Sequence, residues 1–232
     1  MKRTVMGCTL AVVAAALVAG RPAEAQDLQQ KVAAAKQAAA QNQQALRSYS
    51  WVEKTEISLK GEVKNTKIES CRYGSDGKVL KTPMSEPPAP QKKQRGMKGR
   101  VIEKKTGEMK EDMQAAVALV QQYVPPSPDK IQAAMAAGKI TMAPGAATSA
   151  LRIADYEKAG DALVLTLGTA DKGLKQIAVD TWKDNPSDKV TLNVQMQSLA
   201  DGTDYAGTVV LAIPSSNIQV RITNSNYQKL AP

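Results

Sequence analysis

The sequence predicts an α+β fold: one strongly curved antiparallel sheet of about nine strands, with helices packed against its concave side. Three observations predict it. Between Ser149 and Tyr227, apolar and polar residues alternate in six successive runs, and period two over 4–8 residues marks a strand with one wet and one dry face. The breaks between runs are short and made of turn residues, such as Asn185-Pro-Ser-Asp188 and Asp201-Gly-Thr203. Links this short force neighbouring strands to run antiparallel. Amphipathic helical stripes lie outside this block, and a sheet with one dry face needs such material to cover it.

The chain opens with Lys2 and Arg3, an apolar stretch from Val5 to Ala19, and small residues at Ala23-Glu-Ala25. That order predicts a cleaved secretory signal peptide over residues 1–25 and a periplasmic or secreted protein. Residues 26–232 are then expected to form a single domain, large enough for a real core. Cys71 is the cysteine that remains after cleavage, and it reads as a small buried hydrophobe on a strand.

Gln26 to Arg47 reads as a helix, with Leu28, Val32, Ala35, Ala39 and Leu46 on one face. Tyr49 to Leu59 follows as a strand whose dry face, Tyr49, Trp51, Ile57 and Leu59, is interrupted by Glu53. Gly61 turns the chain into a second strand, Val63 to Tyr73, and Ser75-Asp-Gly77 into a short third, Lys78 to Lys81. Residues 83–105 read as a basic, proline-rich linker that starts with Pro83, Pro87, Pro88 and Pro90.

Charge concentrates there. The chain carries +9; Lys2, Arg3, Arg21 and Glu24 account for +2, leaving +7 beyond the signal peptide. Residues 91–110 hold +6 of that, eight basic residues against Glu103 and Glu108. Lys92, Lys93, Arg95, Lys98 and Arg100 are the candidate contacts to an anionic surface, an acidic lipid or a cell-wall polymer. No aromatic residue is interleaved between Gln91 and Lys110, so no nucleic-acid partner is expected.

Residues 106–138 read as a helical lid of two segments. Met109, Met113, Val117, Val120 and Val124 form the stripe of the first, which Pro125-Pro126 ends. Ser127, Pro128 and Asp129 open the second, and Gly138 closes it. A loose stretch through Pro144-Gly145 leads into the six strands.

The C-terminal half resembles the periplasmic lipoprotein carriers of the outer-membrane sorting pathway, the LolA-, LolB- and RseB-like superfamily. Asp161-Ala-Leu-Val-Leu-Thr166, Gly173-Leu-Lys-Gln-Ile-Ala-Val179 and a helix running straight into Tyr49-Ser-Trp51 carry the resemblance. It implies a half-closed barrel with a helical lid over an apolar cavity, and a lipid or lipoprotein acyl chain as partner. The middle of the chain departs from the carriers, and the chain contains no Phe.

Chemistry is sparse. With no His, the usual general base and metal ligand are both missing, and no phosphate loop or Gly-x-Ser-x-Gly turn is present. The chain therefore reads as a non-enzyme with no catalytic residue, metal or cofactor. On face and position, the expected acyl-chain lining is Trp51, Leu165, Ile177, Val179, Val194, Met196 and Leu211 from the sheet, with Met109 and Met113 from the lid.

Overall fold

A computed structural model describes residues 37, 39–84, 97–170 and 173–230, with backbone alone for 97–106. The chain divides into Met1–Ala38, of which Gln37 is described, and Ala39–Pro232, to which all else here refers. The signal peptide and most of the N-terminal helix lie outside the described residues. The last turns of that helix remain as α1 (residues 39–46).

Ten strands form one antiparallel sheet. They are β1 (Tyr49–Leu59), β2 (Glu62–Tyr73), β3 (Val79–Pro83), β4 (Ile140–Pro144), β5 (Thr148–Ala154), β6 (Ala162–Gly168), β7 (Leu174–Trp182), β8 (Lys189–Ser198), β9 (Asp204–Ile213) and β10 (Ile218–Lys229). Their order is β3-β2-β1-β10-β9-β8-β7-β6-β5-β4, so the last strand returns to pair with the first and the rest is a meander. All six strands expected between Ser149 and Tyr227 are present as β5–β10. The tenth strand, β4, falls where a loose stretch was expected. It is an edge strand of which Thr141 to Pro144 are exposed, and a strand with no dry face has no period-two signature to read.

The strand order shows one antiparallel sheet that does not close on itself. β3 and β4 are free edges, and the sheet is open. Open twisted sheets of about ten strands are near the limit beyond which they curl or split. Both edges end on prolines, Pro83 and Pro144, which cannot extend a ladder.

Two helices cross the loop between β3 and β4: α2 (Met97–Val120) and α3 (Pro128–Ala136). α2 begins inside the stretch expected to be a linker over 83–105, so Lys98 and Arg100 lie on a helix and not in a loop. The prolines stop at Pro90, and Lys, Arg, Glu and Met, however charged, are good helix formers. Lys92, Lys93 and Arg95 lie outside the described residues. α2 ends at Val120, one turn before Pro125, because residues 121–123 already form a turn. Ser127 caps α3 by accepting from the Lys130 amide at 3.5 Å, with Pro128 in the first turn. Its end lies at Ala137, and Gly138 follows with φ 67°, letting its own N–H and that of Lys139 return to Met135 and Ala134.

One face of the sheet carries the core. Ile153, Leu163, Ile177, Val179, Val190, Leu192, Val194, Leu211, Ile213 and Ile218 pack with Ala116 and Val120 of α2 and Ala134 of α3. The helix pair is pinned there by a buried polar knot. Tyr123, fully buried, donates its hydroxyl to Asp161 at 2.5 Å and lies 2.8 Å from the Thr181 hydroxyl. Asp161 also accepts backbone N–H bonds from Tyr156, Glu157 and Lys158. Burial, and then the bond to Asp161, push the Tyr123 hydroxyl well above its ordinary pKa.

Candidate functional site

Between α2 and the β8–β10 strands the core leaves a cavity of about 320 Å³. Its floor is Leu192 and Val194 of β8, Ala206, Val209 and Leu211 of β9, and Val220 and Ile222 of β10. Its roof is Val117, Val120, Gln121 and Val124, the last part of the helical stripe read from the sequence. Ten of these eleven residues are apolar. The sheet supplies them because alternate positions of β8–β10 all face α2 in register: Leu192 pairs with Leu211, Val194 with Val209, and Val220 with Leu211. The helix supplies them because spacings of three and four keep side chains on one face. Val117 is 41% exposed and stands at the mouth. Branched aliphatics that neither fill the space nor offer a polar partner leave a cavity fitted to hydrocarbon.

The nine residues expected to line an acyl site separate into three groups. Val194 and Leu211 line the cavity. Ile177 and Val179 are buried in solid core, and Leu165, Met196, Met109 and Met113 pack half-buried against it. Trp51 lies elsewhere, in an aromatic cluster: it stacks on Tyr227 at 5.6 Å and meets Tyr73 at 5.4 Å, while Tyr205 lies 4.2 Å from Tyr227. Burial raises the Tyr227 hydroxyl pKa. The remaining lining residues, Val209, Val220 and Ile222 among them, sit in the same stripes as the core, and no signal in the sequence separates pocket from packing.

The covered face turns polar beyond the cavity. Glu53 and Glu69, only 8% and 5% exposed, are directly opposite each other on β1 and β2. Lys81 bonds Glu53 at 2.5 Å, and Lys67 bonds Glu69 at 2.7 Å. Cys71 is fully buried beside them, as its strand position suggested, and burial raises its thiol pKa.

A second attachment holds α2 to the sheet. Asp112 accepts from Lys183 at 2.7 Å and from the Ser216 hydroxyl, and Lys183 also reaches Asp188 at 3.4 Å. The bond from Lys183, followed by that from Ser216, holds the Asp112 carboxyl below its ordinary pKa. Burial alone would depress Lys183; its two carboxylate partners more than offset this and leave it raised.

No protein-family model matches the chain, and no curated protein matches it. Among solved structures it is similar to a DUF1329 family protein from Desulfovibrio piger, at 11% identity and a TM-score of 0.37, over 88% of this chain and 90% of that one. It is also similar to a LolA superfamily protein from Nitrosomonas europaea, at 6% identity and a TM-score of 0.37, over 81% of this chain and 87% of that one. The second bears the name of the superfamily that the sequence resembles. Neither likeness is close enough to carry a site residue or a ligand across.

Proposed function

We propose that this chain is an exported, non-enzymatic lipid- or lipoprotein-binding protein of the carrier-like kind, which holds an acyl chain between α2 and the sheet. The cavity carries this reading: about 320 Å³, roofed by one helix and lined by ten apolar residues and Gln121. A methylene displaces roughly the 30 Å³ of a water molecule, so the space suits an alkyl chain of on the order of ten carbons. Burying that length contributes about 8 kcal/mol gross, part of which association offsets. α2 works as the lid, anchored at Tyr123 and tethered at Asp112. Export rests on residues 1–25, and periplasmic or secreted placement follows from it.

Mass spectrometry of lipids extracted from protein gently purified from its native compartment is the direct test. A recurrent acyl species at near one per chain is expected. Clean, ligand-free spectra from several preparations, with no uptake of added decanamide, would overturn the reading.

A second reading is favoured by where α2 begins. Its first turn carries Lys98 and Arg100 and no acidic residue. With Lys92, Lys93 and Arg95 just before it, this end suits docking on an anionic surface, either beside the carrier role or instead of it.

A further inference from the structure

β4 ends the sheet, and its outer side carries main-chain groups that no strand of the sheet pairs. The ladder decides which groups these are. The Ala154 N–H donates to the Lys139 carbonyl at 3.0 Å, and bonded pairs in an antiparallel ladder recur at every second residue. Thr141 and Ala143, in register with Arg152 and Ala150, therefore bond inward to β5. The far side of β5 agrees: the Thr169 N–H donates to the Ala147 carbonyl, so the odd-numbered residues of β5 face β6. What points out of the sheet is the N–H and C=O of Ile140 and of Met142, and the C=O of Pro144.

This edge is bare in a way that the other is not. Along β3, the Gly74 N–H donates to Lys78 and the Met84 N–H to Ile68, so Val79, Lys81 and Pro83 face outward. Lys81 stands at the centre of that edge, and a lysine there guards against pairing with another strand. β4 has no charged residue between Ile140 and Pro144. Lys139, just before it, is neutralised by Asp155 at 3.3 Å. Met142 is 67% exposed, more than any other large apolar side chain among the described residues. An uncharged edge of this kind brings no like charges together when it meets its own copy.

We infer that β4 pairs with β4 of a second copy, antiparallel about a two-fold axis at Thr141. In that register Ile140 of each copy exchanges two bonds with Met142 of the other, four bonds in all. Centring on Met142 instead would set Ile140 against Pro144, which has no N–H and whose ring fills its place. Across the axis Thr141 meets Thr141 as a close, non-bonded pair, and such Thr–Thr pairs are favourable. Met142 lies beside Ile140 of the second copy, on the face where Ile140 pairs with the buried Ile153. The contact is isologous, so it closes at two copies. Strands this short bury less than the roughly 1,000 Å² of a stable interface, and the dimer is weak, half-formed on the order of 100 μM. None of these residues lines the cavity, so the interface stands apart from the acyl-chain reading.

Sedimentation velocity of the full exported chain tests it, with monomer expected near about 10 μM and mostly dimer near about 1 mM. Met142→Pro removes an outward N–H and leaves the bonds that Thr141 and Ala143 make to β5, so it should stay monomeric throughout with an unchanged far-ultraviolet spectrum. Thr141→Cys reads the register. A non-bonded antiparallel pair has its Cα atoms about 4.5 Å apart, within disulfide reach, so this variant should form a covalent dimer with oxidised glutathione as the oxidant. Ala143→Cys, on the same face but set back from the axis, should not; Cys71 is fully buried and takes no part. A wild type that stays monomeric at every concentration overturns the interface, whatever the cysteine variants do. A dimer that persists in a folded Met142→Pro belongs to another surface and also overturns it. Should Met142→Pro not fold, the cysteines decide: cross-linking of Ala143→Cys as fast as Thr141→Cys, or of neither, sinks the pairing.

Discussion

Tyr123 shows how much one side chain holds in place. Its phenol has a single proton, which goes to the acceptor-only Asp161 carboxylate, so the Thr181 hydroxyl must donate to the Tyr123 oxygen. Tyr123→Phe therefore breaks two buried bonds at once and leaves Asp161 one donor short. The expected cost is about 1–3 kcal/mol, read as a lower urea midpoint at unchanged slope. Nothing in the sequence marks Tyr123, which stands between Val120 and Val124 of the helical stripe, two residues before the prolines. Asp161 opens one of the segments that carry the family resemblance, yet its role as acceptor for three backbone amides needs the folded turn. Glu53 is more legible, as the break in its strand's dry face, whereas the dry row of the last strand is read only to Ile222, one step short of Asn224. Each is a polar residue at a position that the strand's alternation makes dry, and the register makes them partners. A break in a period-two pattern is visible in sequence; that two such breaks meet across strands is not, because pairing of the first strand with the last depends on the whole topology.

At the scale of elements, α2 decides between pocket and core, and substitutions in the sheet beneath it should separate the two. Val209→Phe places a ring in the cavity floor; it should lower decanamide affinity at least tenfold without lowering the melting temperature, since the added carbons fill empty space. Ile177→Ala removes solid core, and it should cost about 2–5 kcal/mol of stability while leaving the cavity lining intact. The Asp112 tether should be sensitive to pH. Its carboxyl is held below the ordinary value of 3.8, so the tether's contribution is complete above that value and fades as pH falls through the lower, folded one. Wild type should therefore melt above Asp112→Asn at pH 5–7 and converge with it in stronger acid. The difference should be about 1–3 °C, small because the Asp112 side chain is 35% exposed and screened. The stripe over Met109–Val124 marks the covering helix and its facing side in the sequence. It did not tell that Val117, Val120 and Val124 roof a cavity while Met109 and Met113 pack on filled core, because both ends of the stripe have the same period.

On the scale of the whole molecule, the open sheet and the uneven charge belong together. Ten strands with two proline-ended edges leave one face to be covered, and the chain provides that cover from a single insertion between β3 and β4. Within that insertion residues 91–110 hold a net +6, and the first basic residues of α2 fall at the wrong end of the helix. Lys98 and Arg100 lie in the first turn, where the macrodipole is already positive and acidic residues are normally favoured. Each basic residue there costs about 0.3–1 kcal/mol in isolation, and an anion opposite would turn that penalty into attraction. A surface with acidic lipid contributes about 1 kcal/mol per nearby Lys or Arg, so Lys92, Lys93, Arg95, Lys98 and Arg100 together suffice for salt-dependent docking without fixed geometry. Docking through that end would set α2 beside the bilayer, which on the proposed carrier reading supplies or receives the acyl chain. Co-sedimentation with phosphatidylglycerol vesicles should pull down the wild type at low salt and release it at high salt, because screening acts within about 8 Å at physiological ionic strength. The variant with all five residues changed to Gln should stay in solution at both, while its decanamide affinity is unchanged if docking and acyl binding are separate. Equal sedimentation of the two proteins at low salt, or of neither, would assign these five charges to solubility alone.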